Sequence, residues 1–210
     1  KNYDGKFEGP MRLRQGLAKS KNLVSIRILQ AIGPRYAQDW ITRFGFEAEK
    51  HPAYLTMALG AGSVTPWSML NAYAVFANGG YGVQLHLISK VTDANSKVLM
   101  EAQPVNAGES AVRVLNERNA FVMDSLLKEV ARSGTAARAY ATLKRADIGG
   151  KTGTTNDSHD AWFAGYGGDL VAVAWMGFDQ PRPLGERETG GGLALPIWIS
   201  YMARALNGVP

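Results

Sequence analysis

The sequence contains no cysteine. That excludes disulfides and thiolate metal sites and leaves the redox compartment unmarked. Histidine is scarce as well. His51, His86 and His159 stand far apart and form no H-E-x-x-H pattern, so neither a metal centre nor a cofactor is expected. No apolar run approaches the ~20 residues of a membrane span, and no signal-peptide pattern is present. Charge of one sign is nowhere concentrated. The formal net charge of +5 would by itself favour an anionic partner. The densest basic groups, Arg12/Arg14/Lys19/Lys21 and Arg138/Lys144/Arg145, are nevertheless sparse enough to read as solvated faces, and no nucleic-acid partner is expected. What remains is an ordinary core-forming composition, 46% hydrophobic over 210 residues, which suits one domain or a large part of one. The abrupt opening on Lys1-Asn2-Tyr3, without methionine, suggests part of a longer chain.

Local patterns divide the chain into helices first and strands later. Met11 to Ala18 reads as a short helix, and Ser20 or Asn22 as the cap of a second. Val24, Ile28, Leu29 and Ile32 recur at helical spacing. Gly33-Pro34 ends that helix and begins another with Tyr36, Ala37, Trp40, Ile41 and Phe44 on one face, read as core. Thr65-Pro66 starts a further helix that Asn78-Gly79-Gly80 stops. Leu87–Val91 and Lys97–Met100 read as a hairpin, with an exposed loop over 103–109. Asn116 caps a helix whose inner face is Val122, Leu126, Leu127 and Val130. Three strands follow, over 144–154, 161–165 and 170–178. The last is apolar on both faces and therefore needs cover on both sides. Pro196 begins a closing helix.

The most informative stretch is Gly149-Gly150-Lys151-Thr152-Gly153-Thr154-Thr155-Asn156-Asp157. Small residues allow a ligand close to the backbone, and a lysine with several hydroxyls offers donors to an anion. Three readings compete. A phosphate-binding G-x-x-x-x-G-K-[ST] loop fails because the first glycine position is Arg145. A plain glycine-rich turn is the bland alternative. The third is the K-T-G element of serine enzymes that bind β-lactams, which accompanies S-x-x-K and an S-x-N-type motif.

Several features support the third reading together. Ser20-Lys21-Asn22 matches S-x-N and Lys151-Thr152-Gly153 matches K-T-G. Around them stand Leu13-Arg14, Leu17-Ala18-Lys19-Ser20, Ala72-Tyr73-Ala74, Phe76-Ala77-Asn78-Gly79-Gly80 and the run from Gly190 to Trp198. In combination the chain resembles the transpeptidase domain of class A, bifunctional penicillin-binding proteins over all 210 residues. The resemblance implies an α/β (α+β), β-lactamase/transpeptidase-like fold with an antiparallel sheet sandwiched between helices. It implies that residues 1–210 are the C-terminal portion of that domain. The first strands and the S-x-x-K nucleophile helix would then lie upstream.

The one S-x-x-K match, Ser125-Leu126-Leu127-Lys128, falls between the two motifs and inside an amphipathic helix. The family order rejects it as the nucleophile. By the same resemblance Ser20 relays a proton and Asn22 donates to the substrate's peptide carbonyl. Lys151 supplies positive potential and poises Ser20. Thr152 and Thr154 hold the terminal carboxylate, with Gly153 leaving the edge open to substrate. The Thr154 N–H forms half of the oxyanion hole. The implied activity is DD-transpeptidation of peptidoglycan stem peptides through a serine acyl-enzyme, with β-lactams acylating the same serine. It would act at the periplasmic face of the inner membrane, tethered by an upstream anchor and preceded by a glycosyltransferase domain. A β-lactamase or DD-carboxypeptidase on the same fold, and a non-catalytic sensor of peptidoglycan or β-lactams, are the rivals.

Overall fold

The computed structural model describes Asn2 and residues 5–210. The helical half opens with α1 (Leu13–Ala18), α2 (Asn22–Ile32) and α3 (Pro34–Ile41). Pro34 sits in the first turn of α3, where a missing N–H costs nothing. Gly45 closes the following 3₁₀ turn in the left-handed region. The α4 helix (Pro66–Ala77) carries a complete capping box: the Thr65 hydroxyl accepts from Ser68 N–H at 3.0 Å, and the Thr65 N–H donates to Ser68 Oγ. Two short antiparallel pairs follow. The first joins β1 (Tyr81–Gly82) to β4 (Val112–Arg113). The second joins β2 (Lys90–Thr92) to β3 (Val98–Glu101) as the expected hairpin, shorter than its apolar pattern and with a register shift at Val91/Thr92.

The cap of α2 departs from expectation. Neither Ser20 nor Asn22 supplies it, because Asn22 is already the first helical residue. Instead Asn2 Oδ1 accepts from Leu23 N–H at 3.2 Å, so an orphan donor at the helix start is satisfied from a distant segment. The aromatic face of α3 also differs. Phe44 is buried, but Tyr36 is 57% exposed and stacks on Trp40, which in turn lies under the Arg43 guanidinium. Ile28 and Ile32 of α2 are similarly exposed, leaving Leu29 as the buried member of that face.

In the second half α5 (Glu117–Ser133) starts at Asn116, whose side chain accepts from Arg118 N–H. Ala120, Leu127, Val130 and Ala131 form its buried face, whereas Val122 points outward. The expected strand over 144–154 is in part a helix end. A separate α6 (Ala137–Leu143) terminates at Lys144 in the left-handed region, and β5 (Gly149–Thr154) begins only after it. Antiparallel β6 (Ala161–Gly167) and β7 (Leu170–Met176) complete a sheet of order β5-β6-β7. Its register places Lys151 opposite Ala164 and Thr152 opposite Phe163.

The apolar β7 packs against both α4 and α7 (Leu195–Ala205), but the cover its composition demands is incomplete: Ala174 is its one buried residue and Trp175 is 37% exposed. The main core lies on the α7 side. Phe163 and Trp198 meet edge to face there with ring centroids 4.9 Å apart, and the Trp198 indole N–H donates to Ala172 O. A π-helical turn over Gly190–Ala194 leads into α7, so that helix is entered earlier than Pro196 indicates.

Candidate active site

Ser20 stands just past the end of α1. The Ser20 N–H donates to Leu17 O at 3.0 Å and the Lys21 N–H to Gly16 O at 2.8 Å, the paired bonds of a Schellman helix stop. That stop needs a left-handed residue, ordinarily glycine, and Ser20 takes it with φ 52°. A serine here costs about 1 kcal/mol of backbone strain. In return, a hydroxyl occupies a turn fixed at both ends. Lys21 is buried and ion-paired with Glu8 Oε1 at 2.6 Å, while Lys19 holds the other oxygen of the same carboxylate. Lys19 and Lys21 together keep the Glu8 carboxyl below its ordinary pKa. Asn22 follows as the half-buried first residue of α2.

Lys151 comes from β5 to meet this turn. Its Nζ donates to Ser20 Oγ at 2.8 Å and to Thr152 O at 3.0 Å. Among the described residues no carboxylate lies within ion-pair distance of it. Burial therefore acts on the ammonium without compensation and lowers its pKa to about 8.

The two threonines of the strand have different partners. Thr154 Oγ1 accepts from Gly190 N–H at 3.0 Å. Gly190 must be glycine, because a Cβ there would collide with the Gly153 and Trp162 carbonyl oxygens. The Thr152 hydroxyl lies 2.7 Å from that of Thr135, on the turn between α5 and α6. Gly153 is the least crowded glycine of the strand, with Trp162 Cβ 3.2 Å from where its own Cβ would be. Gly149 and Gly150 serve packing instead of ligand approach: the Tyr166 and Phe163 rings fill the space their side chains would take.

Ser125 and Lys128 are engaged elsewhere. Arg14 donates to Ser125 O at 2.8 Å and to Ser125 Oγ at 3.0 Å, and Lys128 pairs with Asp124 at 2.8 Å. Asp124 also accepts from the Tyr166 hydroxyl. Lys128 thus serves one ion pair along α5 and Ser125 serves Arg14, with no serine–lysine bond between the two residues.

The geometry therefore gathers Ser20, Lys151, Thr152 and Thr154 where α1, β5 and the π-helical turn converge, with Asn22 on the adjoining turn. Sequence reasoning missed Thr135 and Gly190. The Gly190–Gly192 run was a visible signal for the second. For Thr135 there was none beyond a hydroxyl beside the helix-ending Gly134.

The penicillin binding protein transpeptidase domain family matches residues 1–196. The chain belongs to that family. Penicillin-binding protein 1A of Neisseria flavescens is 50% identical over 208 residues, and its counterpart in Neisseria gonorrhoeae is 49% identical. These matches span 99% of this chain and 26% of each relative, so the chain covers about a quarter of the length of the curated relatives it matches. The crystal structure of Penicillin-Binding Protein 1A from Haemophilus influenzae superposes with a TM-score of 0.95 at 39% identity, over all of this chain and 36% of that one. The antiparallel sheet between helices is accordingly this family's transpeptidase fold. Among the described residues no helix is long and apolar enough to cross a membrane.

Proposed function

We propose that the Ser20–Lys151 centre belongs to a serine DD-transpeptidase that cross-links peptidoglycan stem peptides and is acylated by β-lactams. One observation carries this reading: the 2.8 Å hydrogen bond from Lys151 Nζ to Ser20 Oγ, which joins two motifs 131 residues apart. In this proposal Ser20 passes the proton between the acylated serine and the leaving or attacking amine. Lys151 holds Ser20 in place and supplies positive potential. The Thr152 and Thr154 hydroxyls bind the stem-peptide carboxylate, and the Thr154 N–H serves as an oxyanion donor. Substrate would extend along β5 past Gly153, adding as a strand.

The acylated serine in this reading precedes Lys1, and residues 1–210 are the C-terminal portion of the transpeptidase domain. The engagement of Ser125 with Arg14 and of Lys128 with Asp124 supports placing it there. An upstream glycosyltransferase domain and an inner-membrane anchor would place the reaction at the periplasmic face.

The test is the intact mass of the full-length protein, and of residues 1–210 alone, after incubation with a penicillin. A covalent adduct on the full-length protein only, reduced at least ~100-fold in rate by Lys151→Ala, is the expected result. An adduct on residues 1–210 alone would place the nucleophile within this chain and refute the assignment.

A further inference from the structure

We propose that Thr135 is a positioning residue: its hydroxyl donates to Thr152 Oγ1 and thereby turns the single proton of Thr152 toward the substrate carboxylate. The inference rests on the transpeptidase reading above and adds a residue outside both motifs.

A threonine hydroxyl has one proton to give and lone pairs to accept with. Thr154 Oγ1 accepts from the Gly190 N–H at 3.0 Å, and an amide N–H can only donate. The proton of Thr154 is therefore free for an incoming anion. Among the described residues no such amide donates to Thr152 Oγ1. Its neighbour is the Thr135 hydroxyl at 2.7 Å, a bond that either oxygen can donate. If Thr152 spends its proton on Thr135, it presents only lone pairs to a carboxylate and repels it. If Thr135 donates, Thr152 becomes equivalent to Thr154, and two parallel hydroxyl donors face the anion. Thr135 thus does by side chain for Thr152 what Gly190 does by backbone for Thr154.

Thr135 is itself held rigidly. Its N–H donates to Ala18 O at 3.0 Å, and a Cβ on the preceding Gly134 would collide with the same carbonyl. The turn that carries Thr135 is therefore clamped to the end of α1, two residues before Ser20. One residue bridges the Ser20 turn through its backbone and the Lys151 strand through its side chain.

The experiment compares acylation rate constants of the full-length protein for benzylpenicillin and for its methyl ester, which lacks the anionic carboxylate. Thr135→Val keeps the shape and the backbone bond but removes the donor. It should slow the free acid ~10-fold, the low end for losing a hydrogen bond that acts on a charged group, and leave the ester within about twofold. Thr135→Ser should recover most of that loss. Thr135→Ala should behave as Thr135→Val if the valine variant folds poorly. In a Thr152→Val background Thr135→Val should cost little more, since the two hydroxyls act as a unit. An unchanged rate for the free acid, an equal fall for acid and ester, or no recovery with serine would each overturn the proposal. A wild-type protein that neither ligand acylates would instead overturn the transpeptidase reading, and this inference with it.

Discussion

Lys151 is a cation held by the Ser20 hydroxyl and the Thr152 carbonyl, with no carboxylate partner among the described residues. Its pKa in the fold, about 8, lies below the 10.5 of an unhindered lysine. Between those values the unfolded chain holds a proton that the folded protein does not, so stability rises as pH climbs from about 8 toward 10.5. Denaturant titrations at pH 7.5 and 10 should show this increment, up to about 3 kcal/mol, and Lys151→Met should abolish it. A bound carboxylate supplies the absent counter-charge and should return the pKa upward. Binding of an acidic ligand near pH 9 should therefore take up protons, measurable by calorimetry in buffers of different ionisation enthalpy. No uptake would mean the anion does not sit beside Lys151. Ser20 offers a second test. Glycine is the natural occupant of its left-handed position. Ser20→Gly should raise stability by about 1 kcal/mol while abolishing acylation of the full-length protein, a separation that a purely structural serine would not give.

At the scale of elements, local chemistry was legible wherever one residue type dictates a conformation. The Thr65-Pro66 start, the Asn116 cap and the left-handed Gly45 stand where their side chains or backbones require. The S-x-N and K-T-G segments were legible for the same reason, since each is a short phrase with its chemistry inside it. Helix α6 was hidden because its polar end runs straight into the strand pattern at Lys144. The cap on α2 was hidden because Asn2 delivers it from a separate segment, which no window around Ser20 contains. Glycine richness misled in part, for Gly149 and Gly150 accommodate aromatic rings instead of ligand. The Gly190 contact gives a test at this scale. Gly190→Ala should drive the π-helical turn off β5 and cost about 1–3 kcal/mol, seen as a lowered Tm. Because the same turn holds Thr154, affinity for acidic β-lactams should fall with it.

For the whole molecule, the distribution of apolar surface separates what this chain buries from what it shows. Phe163 and Trp198 are almost inaccessible at the centre of the main core, so Trp198→Ala should cost about 3–5 kcal/mol and broaden or abolish the unfolding transition. Ile28, Ile32 and Tyr36 of the α2–α3 region, by contrast, are 41%, 50% and 57% exposed. Helical periodicity announced these residues as an apolar face and could not say whether this chain would cover it. The fold class, the presence of three successive strands and the two motif segments were legible in the sequence. The pairing of threonines with Thr135 and Gly190 was not, because it depends on where two turns come to rest in space.

The bond between Ser20 and Lys151 closes a loop of 131 residues. Helices such as α4 and α5 can form from nearby sequence, but this contact must wait for the chain to bring its two halves together, with the loop-closure entropy that entails. The pair is therefore expected to form late in folding, after the helices. Under the proposed function, ligand capture by this centre would report on completed assembly, and its recovery during refolding should lag behind the return of helical signal.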